Sequence, residues 1–374
     1  MSEERGGFRP PPYPHDRLAG LADKAAAHEG GMVDLSIGTP CDPAPPAVVA
    51  ALSSSGAEPG YPASIGSLAY RSAAADWMQR RLGVEIGASD VAACVGTKEF
   101  VATLPQWLKL RSPKLDTVLY PAVSYPTYQM GAVLAGCRAV PVAVDRDWRL
   151  DLSSVAAADA ERALVLWANS PGNPCGQLDD LGAIATWGRE RGILVCSDEC
   201  YVEHTHAPVG LRSILQHGTD GVVALHSLSK RSNLAGLRAG FYAGDHDVVE
   251  YLSEVRKHVG MMVPGPVQAA AVVAFGHDDH AAAQRERYRE RLERLRAIVG
   301  GLGIDAPMPE GGLYLWVPAP GGDAWGFTEQ LAVEGGALVS PGDFYGEAGA
   351  GHVRIAAVQP MERIELVARR LLGG

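Results

Sequence analysis

Residues 222–241 read "VVALHSLSKRSNLAGLRAGF". Five mostly apolar residues, Val222 to His226, run into Ser-Leu-Ser and then Lys230, and Arg238 follows ahead of a second apolar segment. An unpaired ammonium group at the inner end of a buried strand costs several kcal/mol or gives up its proton instead. Lys230 is therefore either the partner of a buried carboxylate or a reactive amine, because a desolvated, neutral lysine is the form that attacks an aldehyde. The other lysines raise no such question. Lys24 falls in an N-terminal helical stretch, Lys98 follows a glycine turn, and Lys109, Lys114 and Lys257 have polar or charged neighbours.

Outward from this stretch, short apolar segments alternate with helical ones between about residues 91 and 244: "VAACVG", "TVLYP", "AVPVAV", "ALVLWAN", "ILVCSDE", "VVALHSLS" and "AGFYAG". Several are unbroken apolar runs, as expected of strands buried on both faces in a mainly parallel sheet. The fold class is α/β, a large domain with helices flanking that sheet plus a smaller α+β domain. Segment 281–299 reads as a long helix with Tyr288, Leu292, Leu295 and Val299 on its apolar stripe, Glu290 and Arg294 as an i, i+4 pair, and its arginines on a solvated face. After it come "GLYLWVPAP", "GALVSPG", "HVRIAAV" and a C-terminal helix. The expected division is an arm over 1–45 packing on the small domain, a large domain over 46–280 and a small domain over 281–374.

The chain has 374 residues, 47% apolar and 20% charged, with a net charge of −10. That suits a globular enzyme with two cores and gives no basic footprint for nucleic acid. No apolar run reaches the roughly 18 residues of a membrane span. "MSEERGGFRPPPYPHD" lacks the apolar centre of a signal peptide, so a cytoplasmic protein is expected. Six scattered cysteines without a CxxC fit reduced thiols rather than a metal site, and "HDDH" at 277–280 reads as a polar loop or helix start.

Asp198 ends the apolar segment "ILVCSD" as Lys230 ends a later one. If Lys230 forms a Schiff base with pyridoxal 5'-phosphate, an acid must keep the pyridine nitrogen protonated, and a carboxylate facing that cation stays ionised. Tyr201, three residues on, and Asn173, in "ANSPGNPCG", are candidates to reach the cofactor's phenolate oxygen. A phosphate needs backbone N–H groups at a helix start and a cation. "CVGTKEFVATL" offers Gly96 and Thr97 at such a turn, and Ser227, Ser229 and Arg238 add hydroxyls and a guanidinium.

The order "GTKE", "SYPTY", "NSPGNPCG", "SDECY", "SLSKRSNLAGLRAGF" resembles the class I/II aminotransferases of pyridoxal-phosphate fold type I, over nearly the whole chain from "DLSIGTP" to "HVRIAAV". The resemblance implies a homodimer with shared active sites acting on a small amino acid and keto acid. It makes Lys230 the Schiff-base lysine and catalytic base, Asp198 the pyridine-nitrogen partner, and Asn173 and Tyr201 the phenolate ligands. It assigns Gly96, Thr97, Lys98, Ser227 and Arg238 to the phosphate, with Ser229 nearby, and Tyr125 to stacking on the cofactor ring. It makes Tyr61 a residue reaching the neighbouring subunit's phosphate, and Arg354 and Gly38 the contacts to the substrate α-carboxylate.

Arg231 directly after the lysine resembles the N-succinyl-LL-diaminopimelate aminotransferases, although a purely structural role for Arg231 is equally open. A second arginine for a distal carboxylate is not evident; Arg17, Arg256 and Lys257 are the candidates. An aspartate or other amino-acid aminotransferase and a lyase of the same fold remain alternatives. A nicotinamide oxidoreductase is disfavoured because no GxGxxG follows a strand.

Overall fold

A computed structural model describes residues 7–373. Its strands in chain order are β1 (Val33–Asp34), β2 (Val91–Cys94), β3 (Thr117–Pro121), β4 (Arg138–Val142), β5 (Ala163–Asn169), β6 (Leu194–Asp198), β7 (Val222–Ser227), β8 (Gly240–Gly244), β9 (Tyr314–Pro318), β10 (Ala337–Leu338), β11 (Ser340–Pro341) and β12 (His352–Ala356). The large sheet has the order β2-β8-β7-β6-β5-β3-β4. Its pairs from β7 to β4 are parallel, while β8 runs antiparallel to both of its neighbours.

The unbroken apolar runs are explained by two cores, one on each face. In β5, Val165 and Trp167 point into a core with Phe100 and Tyr128, whereas Leu166 and Ala168 join one with Trp77, Phe241 and Phe275. Period-two alternation is absent from the sequence because both faces are dry. The parallel strands end on one edge and β8 starts there. Asn169, Asp198, Ser227 and the residue pair Arg238-Ala239 are thereby brought to the same edge of the sheet, the place where open α/β sheets bind ligands.

The smaller unit is an antiparallel sheet, β11-β12-β9, beside the two-stranded parallel pair β1-β10. Leu292 and Leu295 of helix Asp279–Gly301 pack there against Leu315, Val353 and Ile364, and Val33 and Leu35 from the N-terminal segment join the same core. Tyr288, Leu292, Leu295 and Val299 are all buried. The charged face differs from the sequence expectation. Arg294 forms a bidentate pair with Glu365 at 2.7 Å instead of meeting Glu290. Arg291 is buried, not solvated, and grips Asp42 through two 2.7 Å bonds. A forked carboxylate on a neighbouring element holds an arginine better than an exposed partner one turn away, which is worth only about 0.3 kcal/mol.

Candidate active site

A cavity of about 410 Å³ opens between the strand-end edge of the large sheet and the small sheet. Lys230 lines it. Strand β7 stops at Ser227, whose hydroxyl accepts from the Ser229 N–H, and the chain makes one helical turn, Leu228–Arg231, that presents the lysine. The Nζ donates to the Gly38 carbonyl. Among the described residues it has no carboxylate partner, and burial pushes its pKa below the ordinary lysine value. Of the two readings the sequence left open, the salt-bridged lysine is the one the geometry does not support.

Asp198 ends β6 beside it, buried, with Oδ2 accepting from the Tyr128 hydroxyl at 3.0 Å and Oδ1 from the Cys200 N–H at 3.2 Å. Burial raises its pKa, and no cation faces it among the described residues. The Tyr201 hydroxyl lies 3.0 Å from that of Tyr314 on β9. Asn173 is fixed through its N–H to Asn169 Oδ1 at 2.8 Å, and its own Oδ1 accepts from Arg354 at 2.8 Å.

At the other end, Gly96 turns the chain at φ +74° into helix Thr97–Arg111, and a side chain there would overlap the Arg238 guanidinium. Only glycine suits that conformation and that approach together. Thr97, Ser227, Ser229 and Arg238 all line the cavity. A left-handed Arg238 (φ +56°) donates to the Ala235 carbonyl at 2.9 Å.

Arg354, on β12, is 4% exposed and stands over the rings of Tyr314 and Tyr345 at 4.1 and 4.7 Å. It donates to Asn173 and to the Ser36 carbonyl, and its Nε has no partner. A buried guanidinium without a carboxylate partner and a buried carboxylate without a cation, among the described residues, share one cavity and together suit a ligand of both charges. Pyridoxal phosphate with an amino acid fits it: a glycine turn, hydroxyls and Arg238 for the phosphate, Asp198 for the ring nitrogen, Lys230 for the aldehyde carbon, and Arg354 for a carboxylate.

Tyr125 and Lys98 line the cavity, as does Gly38, which packs so tightly under Tyr314 that a side chain would strike its hydroxyl. Tyr61 is fully exposed and lies outside the cavity of this chain. Gly96 sits behind Arg238 rather than in the lining. Arg17, Arg256 and Lys257 do not line the cavity; they pair with Asp343, Glu99 and Glu254.

Sequence reasoning missed Tyr128, Asn169, Tyr314, Tyr345 and His15. Asn169 did carry a signal, since it ends an apolar run as Asp198 does. Tyr13 and His15 sit in "PPPYPHD", which has no periodicity to mark them.

Arg231 is turned into a buried ion network instead of the cavity. It reaches Glu203 at 3.2 Å and Asp278 at 2.6 Å, and the carbonyls of Ala274 and His277. Glu203 also accepts from Arg81 and, at 2.8 Å, from the Trp77 indole. Burial alone would raise the Glu203 pKa, but Arg81, Arg231 and Trp77 outweigh it and hold the carboxyl at about 2, against an ordinary 4.5. A carboxyl depressed on folding stabilises the fold above about pH 4.5 and loses that contribution as the pH falls toward 2. Glu203→Gln is expected to cost about 3–5 kcal/mol at pH 7, because it leaves buried guanidinium groups unpaired. Urea unfolding at pH 7 and pH 3 should show the deficit shrinking at the lower pH. An equal deficit at both would mean that the carboxylate charge is not what the network uses.

Residues 30–371 match the family model "Aminotransferase class I and II". The chain is 44% identical over 368 residues to 4-dedimethylamino-4-oxo-anhydrotetracycline transaminase of Streptomyces rimosus, covering 96% of this chain and 99% of that one. It is 34% identical to an LL-diaminopimelate aminotransferase of Desulforudis audaxviator, covering 97% and 95%. Among solved structures, a probable N-succinyldiaminopimelate aminotransferase from Thermus thermophilus superposes with a TM-score of 0.85 at 30% identity, covering 95% and 98%. Fold, site and comparisons agree that the chain belongs to the class I and II aminotransferases, which are pyridoxal-phosphate-dependent enzymes.

Proposed function

We propose that the enzyme moves an amino group between glutamate and a second keto acid in two half-reactions at this one cavity. The observation that carries the reading is that Lys230 and the buried Arg354, neither with a carboxylate partner among the described residues, line one cavity of about 410 Å³. Arg354 and the neighbouring backbone would seat the α-carboxylate. That would place the substrate Cα toward Lys230, whose neutral Nζ would take the Cα proton and deliver it to the cofactor's aldehyde carbon, the reverse transfer serving the second half-reaction. When bound, pyridoxal phosphate supplies an electron sink for the charge left on that carbon. Asp198 would hold the ring nitrogen's proton, Tyr201 and Asn173 would donate to the ring oxygen, and Tyr125 would pack on the ring. Gly96, Thr97, Ser227, Ser229 and Arg238 would hold the phosphate.

For the second substrate we propose N-succinyl-LL-2,6-diaminopimelate and 2-oxoglutarate, in lysine and diaminopimelate biosynthesis. The name of the Thermus relative supports it, and that of the Desulforudis relative supports a diaminopimelate substrate without the succinyl group. The Streptomyces relative, at 44% identity, favours a second reading in which the acceptor is a ketone on a large fused-ring molecule. A cytoplasmic homodimer, and the division into residues 1–45, 46–280 and 281–374, belong to the same proposal. The fully exposed Tyr61 fits a side chain that completes a neighbouring subunit's site.

The test is spectroscopic. The visible band of the holoenzyme should bleach with glutamate and return with 2-oxoglutarate, and the aminated enzyme should then be screened against N-succinylated and fused-ring ketones. A band that glutamate leaves unchanged would remove glutamate as donor. Ammonia release without uptake of any keto acid would point to a lyase.

A further inference from the structure

We infer that Glu99 and Arg256 are a positioning pair for the cofactor's phosphate, acting through the glycine turn at Gly96 rather than by contact. The inference rests on the proposed placement of the phosphate at that turn. The motif "GTKE" supplies the turn, yet its glutamate does not line the cavity.

Glu99 stands in the first turn of helix Thr97–Arg111, where Gly96 provides no side-chain cap. The first N–H groups of such a helix are free for a ligand. A first-turn carboxylate is their ordinary rival, because it is drawn to the same positive end of the helix. Its charge would also repel an incoming phosphate. Here the carboxylate is turned the other way. Its Oε1 accepts from the Val95 N–H at 2.9 Å, on the strand side of the glycine. Arg256 grips both of its oxygens, Nη1 meeting Oε2 at 3.1 Å and Nη2 meeting Oε1.

Arg256 comes from helix His246–Val259 and is 1% exposed. The rings of Phe100 and Tyr242 lie 5.6 and 5.8 Å from its guanidinium carbon, and its Nε has no partner among the described residues. A buried ion pair is weak evidence of stabilisation, since the desolvation of both charges offsets most of their attraction. What this pair does is local. The guanidinium cancels the carboxylate's charge beside the turn. The carboxylate in turn holds Val95, the residue before Gly96, by a charge-assisted bond. The helix start is left open and free of net negative charge.

The experiment titrates the apoenzyme with pyridoxal 5'-phosphate and with pyridoxal, which has the same ring and aldehyde without the phosphate. The ratio of the two dissociation constants isolates the preference for the phosphate, and the urea midpoint of each apoenzyme is measured alongside. Arg256→Met bares the carboxylate and should lower that preference by about 3- to 30-fold, the range for a charge at a helix terminus. Glu99→Gln keeps the cation and should hold the preference at the parental value or above. The double variant should recover most of what Arg256→Met loses, because glutamine can still accept from the Val95 N–H without carrying a charge.

A mere brace between two helices behaves differently. Both single variants would then weaken the two ligands alike, in step with the urea midpoint, and that result would overturn the inference. So would an unchanged preference in Arg256→Met. If Arg256→Met does not fold, the other two variants decide, and a fall in the preference of Glu99→Gln would overturn the inference. A parental apoenzyme that binds pyridoxal as tightly as its phosphate, or a preference untouched by Arg238→Met, would instead remove the phosphate from this turn, the reading on which the inference stands.

Discussion

Lys230→Ala is expected to lower transamination by about 10³- to 10⁴-fold or more, with the fold intact. Positioned proton transfer alone contributes roughly 10²- to 10⁴-fold, and the same Nζ is the group proposed to anchor the cofactor. Among the described residues the Lys230 side chain has a single hydrogen bond, to the Gly38 carbonyl, and no ion pair. Its pKa is lowered chiefly by burial, so truncation removes a desolvated amine rather than a supporting contact. The urea midpoint should therefore stay at or slightly above that of the parent. Lys230→Arg should be no better than alanine, because a guanidinium does not deprotonate in proteins. Turnover retained in Lys230→Ala would remove the assignment. Lost turnover with a lowered urea midpoint would shift the explanation from chemistry to folding.

Much of this site was legible because polar groups at the ends of apolar runs stand out. "TVLYP" and "ALVLWAN" coincide with β3 and β5 residue for residue, Asp198 ends β6, and Lys230 follows β7 by three residues. The direction of β8 was not legible: "AGFYAG" is as apolar as a parallel strand, since the same two cores cover it. The small unit's contribution was visible at Arg354 but not at Tyr314 or Tyr345. Those tyrosines acquire meaning only when β9 and the turn after β11 close over an edge formed by far earlier residues. Long-range ion pairs defeated local reasoning in the same way. Arg291 and Asp42 are 249 positions apart, so an i, i+4 rule assigned the long helix's arginines to solvent. Arg231 beside the reactive lysine invited a substrate role from proximity in sequence. One helical turn rotates it by about 100° per residue, which sends it to Glu203 and Asp278 instead.

Replacing Arg354 should give the second large effect, and of a different kind. The guanidinium is 4% exposed, with its Nε unpartnered and no carboxylate in reach among the described residues. Such a group is costly to bury, and the Tyr314 and Tyr345 ring faces with two oxygen acceptors offset only part of that. What completes it is a ligand carboxylate, bound through the planar fork. Arg354→Gln should therefore lower kcat/KM for glutamate and for 2-oxoglutarate by about 10²- to 10³-fold, the range for truncating one member of a buried charged pair. Arg354→Lys should recover little, because a point charge on a flexible stem does not reproduce the fork. The discriminating measurement uses an amine donor that has no carboxylate. If Arg354 acts on the α-carboxylate, its loss leaves the slow reaction of that amine nearly unchanged and narrows the preference for amino acids over amines. If instead it acts by holding Asn173 and Ser36 in place, both donors fall together and the preference stays as it was.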